Sequence, residues 1–467
     1  MSMFIDRNNE LKTLESEYNR DGASFVVIYG RRRVGKTTLI NQFCKNKRSI
    51  YFLATEENET ENRNNFKGII SNALHNTLLG SAEITSWEPV FELIANESEK
   101  GRIILVIDEF QYLGKANPAF PSIFMKIWDT ILSNGNIMLI ICGSLINMMT
   151  SQVLNYDSPL YGRRTAQIKM KQIPFANYHE FNESLTYDEQ IMNYAITGGI
   201  PKYIELFTPY TDIYTAIKKN ILSPSSFLYA EPDFLLQKEV TGVGSYFSIL
   251  KTIAAGNHKL GKISAALGIG QSSLTSYMKT LIELDLVERQ VPITEENPQK
   301  SKMGLYFIRD NFIAFWFKFI YPNRGFIESG HTEYVEDKIR KNLIDNHTAY
   351  VYEDICRESL WALVSESLPF DRVGRWWGSG DIEIDIVAYD SLGTNIIFGE
   401  CKYSVREKGM DTLSELKKKA QHVNWKNEER KEHFVIFSRS GFSESLKEYA
   451  KVHPDEVYLL VALNNVV

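Results

Sequence analysis

One stretch near the start of the chain constrains its fold most: residues 30–37, with the sequence GRRRVGKT. An apolar run, FVVIY, precedes this stretch, and a segment with helical spacing, TLINQF, follows it. Strand, glycine-containing loop and helix in this order, with the spacing GxxxxGK[ST], are typical of a phosphate-binding loop. Two glycines let successive backbone N–H groups converge on an anion, and the helix N-terminus adds partial positive charge. We therefore expect an α/β domain that binds phosphates here, the alternative being a strand-to-helix turn that binds nothing.

The loop and the first residues of its helix form the predicted nucleotide-contacting set. Its members are Gly30, Arg31, Arg32, Arg33, Val34, Gly35, Lys36, Thr37 and Thr38. In such loops the lysine, here Lys36, reaches the β- and γ-phosphates as a point charge. The next hydroxyl, that of Thr37, is a ligand for Mg²⁺. The sequence thus predicts a nucleoside triphosphate and Mg²⁺ as ligands.

A second apolar run, residues 103–107, ends in Asp108 and Glu109. Continuous apolar runs of this length are typical of strands buried on both faces of a parallel sheet, where ligands bind at the carboxyl ends of the strands. We expect Asp108 to hold Mg²⁺, directly or through water, and Glu109 to polarise the attacking water as general base. The alternative is an acidic pair that only caps a turn.

Three more residues are candidates for the same site. Ser144 follows the third apolar run, residues 137–142, and is predicted to sense the γ-phosphate or to place the attacking water, the alternative being a helix cap. Arg163 and Arg164 are candidates for an arginine finger that acts in cis or on a neighbouring copy, the alternative being a solvated basic turn. A finger acting in trans would require a homo-oligomer, which these two arginines alone do not establish.

The composition limits the class of protein. The 467 residues carry 52 basic and 58 acidic side chains, a net charge of −6, so any nucleic-acid contact must be a local patch. The four cysteines, Cys44, Cys142, Cys356 and Cys401, have no CxxC spacing and are expected to be reduced structural thiols. No signal-peptide pattern and no uncharged run of membrane-spanning length occurs. We expect a soluble, cytoplasmic protein.

These motifs resemble a known family, the prokaryotic ATPases of the AAA+/STAND assemblage called archaeal-type ATPases. The marks of the resemblance are FIDR at residues 4–7, GRRRVGKT, IDEFQ at 107–111, GS at 143–144, GRR at 162–164 and TGGIP at 197–201. Members join a phosphate-loop domain, a winged helix and a C-terminal domain of the uncharacterised DUF234 type. The resemblance implies ATP rather than GTP, and it implies that residues 197–201 lie in a helical lid over the nucleotide.

The predicted fold class is α/β, with an AAA+-like parallel sheet, a helical lid, a winged helix and a C-terminal α/β nuclease-like domain. We place these at residues 1–172, 173–240, 241–322 and 323–467, with residues 322–325 as a linker. Residues 272–284 form the predicted recognition helix of the winged helix. Its expected exposed face could contact DNA and comprises Gln271, Ser272, Ser273, Thr275, Ser276 and Lys279. Basic and acidic residues nearly balance around it, so the electrostatic attraction to DNA is weak, and packing or protein docking is the alternative role.

The C-terminal domain carries a second constellation. Asp385 lies on one predicted strand, and Glu400 and Lys402 share one face of the next, as in the pattern D…ExK. This pattern resembles the PD-(D/E)xK nuclease fold, in which two carboxylates and a lysine bind Mg²⁺ and position a water. Glu353 and Gln421, on the flanking helices, occupy positions where that fold often adds residues, whereas the proline of its first motif is absent. The alternative is a charged edge strand with incidental spacing.

Together these features predict a Mg²⁺-dependent ATPase whose nucleotide cycle controls the winged helix and the nuclease-like domain, with DNA processing or defence as a hypothesis. The rival hypothesis is a nucleotide-gated scaffold that binds protein or nucleic acid without cutting it. Trp376 and Trp377 either stack on bases or are buried aromatics.

Overall fold

A computed structural model of the protein describes residues 4–365, 368–380 and 382–460. The chain divides into two compact units. The first comprises Met1–Ile173, Ile200–Lys202 and Leu235–Thr241, and the second comprises Pro174–Gly199, Tyr203–Phe234 and Gly242–Val467. The division into four domains made from the sequence stays a prediction.

The first unit is built on a five-stranded parallel sheet in the order β2-β3-β4-β1-β5. The strands are β1 (Ser24–Tyr29), β2 (Ser49–Leu53), β3 (Ile103–Asp108), β4 (Ile137–Gly143) and β5 (Ala166–Lys169). Its helices are α1 (Asn8–Tyr18), α2 (Lys36–Cys44), α3 (Glu59–Ala73), α4 (Thr77–Ser81), α5 (Glu88–Ser98), α6 (Gln111–Ala116), α7 (Phe120–Thr130) and α8 (Ile146–Met149). This confirms the predicted α/β class.

The central strands explain why the sheet forms. Every residue of β3 and β4 is buried, so their β-branched and aliphatic side chains pack against helices on both faces of the sheet. One face is covered by an aromatic cluster that includes Phe66, Phe91, Phe120 and Phe124. Because the strands are parallel, the carboxyl ends of β1, β3 and β4 lie along one edge, and the loops that follow them meet there.

The second unit begins with short helices. They are α9 (Tyr187–Thr197), α10 (Pro201–Phe207), α11 (Ile213–Asn220) and α12 (Glu231–Glu239), and α10 and α12 each have residues in both units. Three further helices follow, α13 (Val243–Ala254), α14 (Leu260–Leu267) and α15 (Gln271–Glu283). An antiparallel pair, β6 (Val287–Gln290) and β7 (Leu305–Ile308), completes this segment. All six side chains predicted for the face of α15 are exposed.

The predicted linker at residues 322–325 is wrong. A nearly continuous series of helices runs through these residues. It comprises α16 (Asn311–Phe315), a π-helical segment (Trp316–Ile320), a 3₁₀-helical turn (Tyr321–Asn323), α17 (Arg324–Glu328), α18 (Thr332–Leu343), a second π-helical segment (Ile344–Thr348) and α19 (Ala349–Leu360). Asn323 is buried and donates to the carbonyl of Phe319 at 2.6 Å. Pro322 sits in the first turn of the 3₁₀ segment, where its missing N–H costs nothing.

A second five-stranded sheet, in the order β12-β11-β10-β9-β8, ends the described chain. Its strands are β8 (Arg372–Trp377), β9 (Glu383–Tyr389), β10 (Asn395–Lys402), β11 (Lys431–Ser438) and β12 (Val457–Leu460). The helices α20 (Met410–Ala420) and α21 (Glu444–Val452) connect β10, β11 and β12, which are parallel to one another, whereas β8, β9 and β10 are antiparallel. The sequence predicts three of these strands, at residues 382–388, 395–401 and 433–437, which correspond to β9, β10 and β11, whereas β8 and β12 were not predicted.

Candidate functional site

The loop between β1 and α2 has the backbone that its glycines require. Gly30 has φ 147° and Gly35 has φ 94°, both in the region that favours glycine. A Cβ on Gly30 would lie 2.5 Å from the carbonyl oxygen of Met170, so no larger residue fits between β1 and the end of β5. The predicted phosphate-binding loop is therefore a close-packed turn at the carboxyl edge of the sheet.

Lys36 is buried at the first position of α2 and points back into this loop. Its Nζ donates to the carbonyl oxygens of Gly30 and Arg31, at 2.8 Å each. Burial lowers the pKa of Lys36, and Cys142, Glu109 and Asp108 nearby oppose that shift. The ammonium group of Lys36 thus lies inside the loop, where two backbone carbonyl groups accept its hydrogen bonds.

Asp108, at the end of β3, faces the start of α2. Its Oδ2 accepts from the Oγ1 of Thr37 at 3.3 Å and also from the hydroxyl of Tyr51, while its Oδ1 accepts from the backbone N–H of Glu109 at 2.8 Å. The structure therefore brings Thr37 and Asp108 together, as predicted. Burial raises the pKa of Tyr51 well above its usual value, and the hydrogen bond to Asp108 adds to the shift.

Glu109 adopts φ 53°, a left-handed backbone that is uncommon outside glycine and costs free energy. Both of its carboxylate oxygens accept from the Oγ of Ser144, at 2.9 and 2.8 Å, and Gln111 Nε2 donates to Oε2. Leu145, not Ser144, is the N-cap residue of α8, so the helix-cap interpretation of Ser144 is wrong. Ser144 instead connects the end of β4 to the carboxylate after β3.

The arginines divide into two groups. Arg32 donates to the hydroxyl of Tyr112 at 3.1 Å, and Arg31 is buried within the loop. Arg163 forms a bidentate ion pair with Asp129, in which both N–O distances are 2.8 Å. The guanidinium of Arg164 lies 5.6 Å from the ring centre of Tyr161. Among the described contacts, neither Arg163 nor Arg164 reaches the phosphate loop.

The predicted D…ExK residues of the C-terminal domain lie on the neighbouring strands β9 and β10. The antiparallel register, in which Gly399 faces Ile386, makes Asp385 and Glu400 cross-strand neighbours. Asp385 Oδ2 accepts from the backbone N–H of Cys401 at 2.8 Å. Glu400 is 4% exposed, and two lysines hold it: Lys402 Nζ lies 2.5 Å from Oε1, and Lys419 Nζ lies 3.1 Å from Oε2.

Glu353, on α19, belongs to the same cluster. Its Oε2 lies 2.9 Å from a guanidinium nitrogen of Arg375, and Arg357 donates to the backbone carbonyl of Asp385 at 2.9 Å. Burial raises the pKa of Glu353 to about 7 and also raises that of Asp385, which the nearby Glu400 shifts further. Gln421 is exposed at the end of α20, two residues after Lys419, and none of the hydrogen bonds described for this cluster involves it. Within residues 4–365, 368–380 and 382–460, no group of three or more His, Cys, Asp or Glu side chains is arranged to hold a metal ion.

The aromatic pair and the cysteines can also be placed. Trp376 is buried in the core of the second sheet, and Trp377 is partly exposed, with its indole N–H donating to the carbonyl of Met303 at 3.2 Å. All four cysteines are free thiols, as predicted. No helix in the described part of the chain is long and apolar enough to cross a membrane.

Comparison with known proteins agrees with this architecture. Residues 4–207 match a family described as an ATPase domain predominantly from Archaea, and residues 316–420 match the DUF234 family, described as archaeal and bacterial proteins of unknown function. An uncharacterized protein of Methanocaldococcus jannaschii is 40% identical over 405 residues, which is 86% of this chain and 88% of that protein. The chain belongs to this family of archaeal ATPases.

Two further proteins are similar to this chain, one in sequence and one in structure. An uncharacterized ATP-binding protein of M. jannaschii is 50% identical over 46 residues, 10% of this chain and 78% of that protein. A Walker-type ATPase of Pyrococcus abyssi superposes with a TM-score of 0.52 at 21% identity, covering 68% of this chain and 96% of that one. The structural likeness shows that the chain shares the fold of phosphate-loop ATPases.

Four contacts in this protein were not expected from its sequence. Tyr51 binds Asp108, Gln111 binds Glu109, and Lys419 binds Glu400. Arg7 binds the phosphate loop itself. A lysine run at the end of a helix after ExK was the one available signal for Lys419, whereas Tyr51 is predictable only once β2 is known to lie beside β3.

Proposed function

We propose that the first unit binds ATP with Mg²⁺ and hydrolyses it. The arrangement of two carboxylates beside the predicted phosphate loop carries this proposal. The Oγ1 of Thr37 lies 3.3 Å from the Oδ2 of Asp108. Glu109, the next residue, accepts a hydrogen bond from Ser144, which follows the adjacent strand β4. This is the set of groups that phosphoryl transfer from a nucleotide to water requires. The ATPase family and the ATP-binding relative favour adenine as the base.

The residues fit a bound Mg²⁺. A threonine hydroxyl and a carboxylate are hard oxygen ligands, and Mg²⁺ in such sites takes one or two protein ligands together with phosphate oxygens and waters. Thr37 and Asp108 would hold the ion, which neutralises charge on the phosphate oxygens. In the described hydrogen bonds of Asp108, the two donors to Oδ2 are the hydroxyl groups of Thr37 and Tyr51. A cation that binds this oxygen therefore does not have to displace a positively charged side chain.

The remaining roles follow from the contacts. Lys36 exchanges its two carbonyl acceptors for the β- and γ-phosphate oxygens when nucleotide enters. Glu109 accepts a proton from the attacking water as the new P–O bond forms and the bond to the ADP oxygen breaks. Ser144, a neutral donor, orients this carboxylate without neutralising it. Arg163 is already paired with Asp129, so Arg164 is the better candidate for an arginine that contributes to a nucleotide site.

The test is the rate of ATP hydrolysis by Glu109→Gln. The glutamine keeps an oxygen for Ser144 but cannot take a proton, so we expect turnover to fall about 100-fold or more while ATP affinity stays the same. Glu56→Gln is the control, because Glu56 is an exposed carboxylate paired with Lys115 and Lys238. Equal turnover in Glu109→Gln and the wild type would refute the assigned base.

We further propose that the nucleotide cycle controls a nuclease-like C-terminal domain. Support comes from the order of its elements: helix α19, three antiparallel strands, helix α20 and a parallel strand, with Glu353, Asp385, Glu400 and Lys402 on α19, β9 and β10. The segment from α13 to β7, three helices and a two-stranded hairpin, fits a winged helix whose α15 exposes polar side chains for DNA.

One observation favours a second candidate for this domain, a scaffold that binds without cutting. Lys402 and Lys419 both lie within ion-pair distance of Glu400, so its charge is compensated without a metal ion. Cleavage of supercoiled and linear DNA with Mg²⁺, with and without ATP, separates the two candidates. A nuclease loses cleavage in Lys402→Ala but not in Lys418→Ala, whose lysine is exposed on the same helix as Lys419. No cleavage by the wild type with any DNA form would favour the scaffold.

A further inference from the structure

Arg7 is a buried cation in the first unit that none of the roles above uses. It precedes α1 with φ 79°, directly after Asp6 with φ 58°, so two successive non-glycine residues adopt the left-handed conformation. That conformation is unfavourable for both and persists only where surrounding contacts hold it. The side chain of Arg7 is 5% exposed, an unusual environment for a guanidinium unless it is fully engaged.

The guanidinium contacts the back of the phosphate loop. Its Nη2 donates to the carbonyl oxygen of Val34 at 3.2 Å and to that of Lys171 at 2.7 Å. Its Nη1 donates to Glu10 at 3.3 Å, which anchors it to α1. Lys171 directly follows Met170, whose own carbonyl packs against Gly30. Arg7 therefore connects Val34, near the end of the loop, to the segment after β5 that packs against Gly30 at the start of the loop.

The geometry of the peptide bond gives this contact a consequence. In a planar trans peptide the carbonyl of one residue and the N–H of the next point in opposite directions. Arg7 fixes the carbonyl of Val34, and so it turns the N–H of Gly35 away from the guanidinium. Gly35, with φ 94°, has no side chain to resist other orientations, so an external contact is needed to fix its amide.

We propose that Arg7 is a positioning residue for the phosphate loop, which fixes the Val34–Gly35 peptide so that the Gly35 N–H is oriented for a nucleotide phosphate. This inference rests on the proposed function of the loop. Lysine cannot replace it fully, since one ammonium group lacks the planar fork that reaches two carbonyls and a carboxylate at once. Lys36 holds the carbonyls of Gly30 and Arg31 from within the loop, and Arg7 holds Val34 from behind.

The experiment measures the dissociation constant for ATP in Arg7→Ala, with and without millimolar guanidinium chloride. Loss of one charge-assisted hydrogen bond that orders the loop predicts about tenfold weaker binding. Guanidinium enters the space left by the side chain and restores affinity, whereas sodium chloride at equal ionic strength does not. Arg20→Ala is the matched control, because Arg20 is an exposed arginine near the end of α1 that pairs with Glu17 at 3.9 Å.

Two results would overturn the proposal. One is ATP affinity in Arg7→Ala equal to that of the wild type. The other is a rescue in which guanidinium raises the melting temperature and leaves the dissociation constant unchanged, since this would show a structural role alone. If Arg7→Ala does not fold, Arg7→Lys replaces it, with an expected threefold to fivefold loss of affinity on the same reasoning, and unaltered affinity again refutes the role of Arg7. Failure of the wild type to bind ATP would refute the proposed function of the loop instead.

Discussion

The two carboxylate sites of this protein are built in opposite ways. In the first unit, Asp108 and Glu109 accept hydrogen bonds from hydroxyl, amide and backbone N–H groups. In the second unit, Glu400 lies against two lysines, and Glu353 against Arg375. Both sites include acidic residues on or directly after strands, joined in the second by Glu353 of α19, and they differ in whether the partners of these residues carry charge.

This difference bears on what each site can bind. Neutral donors orient a carboxylate and leave its charge available for a cation or a proton, as a nucleotide site with Mg²⁺ requires. Cationic partners compensate the charge, so a metal ion must compete with ammonium groups for the same oxygens. A cation that bound at the first site would displace none of these hydrogen-bond donors' charge, because the donors are neutral, whereas one that bound Glu400 would have to displace Lys402 or Lys419.

The largest expected effect tests the charged partners directly. Glu400→Gln leaves Lys402 and Lys419 without their anion in a largely buried cluster, which we expect to lower the free energy of unfolding by about 3 kcal/mol. Asp108→Asn removes a charge that neutral donors hold, and we expect a change of about 1 kcal/mol or less. Urea denaturation of both variants measures the difference. Equal losses would show that the two sites do not differ in this way.

A second prediction concerns Glu239, a carboxyl group of the first unit that accepts from the N–H of Ile146 at 3.3 Å. Burial raises its pKa from 4.5 to about 7, although the backbone N–H groups of Ile146 and Asn147 and the charges of Arg32 and Arg31 oppose the shift. The folded state therefore binds the proton more tightly than the unfolded state. As the pH rises from 4.5 to 7, the wild type should lose about 2 kcal/mol of stability that Glu239→Gln does not lose.

The control for this pH dependence is Glu56→Gln. The side chains of Lys115 and Lys238 lower the pKa of Glu56, so its contribution is constant over the same pH range. Denaturation midpoints across the range measure both variants. Parallel pH profiles for the wild type and Glu239→Gln would show that burial does not outweigh the donors around this group.

The smallest expected effect sharpens the role of the neutral donors. Ser144→Ala removes the hydroxyl that contacts both oxygens of Glu109 and leaves the contact from Gln111 in place. We expect kcat for ATP hydrolysis to fall about fivefold to tenfold with little change in KM, because the carboxylate is less well oriented in the transition state. A larger fall together with a raised KM would indicate that Ser144 contacts the nucleotide itself.

The strands and loops of the first candidate site could be predicted from the sequence because its motifs are local. The phosphate loop, the Asp108–Glu109 pair and Ser144 each follow an apolar run, and β1, β3 and β4 formed where those runs lie. The hydrogen-bond partners of the acidic residues could not be predicted from the sequence. Tyr51 and Ser144 belong to or follow other strands, and their proximity to Asp108 and Glu109 depends on the strand order β2-β3-β4-β1-β5. Strand order is a tertiary property that apolar patterning does not encode.

The second unit was harder to predict, for a different reason. Strand β8 carries two arginines and a glycine, and its register shifts between Gly374 and Trp376, so it lacks regular alternation. Strand β12 is only four residues long. The linker predicted at 322–325 was wrong because proline and glycine are also tolerated at the start of helical turns, and Asn323 is buried by its neighbours.

Tyr51 gives this protein a natural optical probe. Its phenol shares the Oδ2 atom of Asp108 with Thr37, so a cation that takes this oxygen deprives the phenol of its acceptor. The near-ultraviolet absorption of a tyrosine depends on whether its hydroxyl donates to an anion. Occupation of the site can therefore be followed by difference spectroscopy on the unlabelled protein, with Tyr51→Phe as the blank, independently of any turnover.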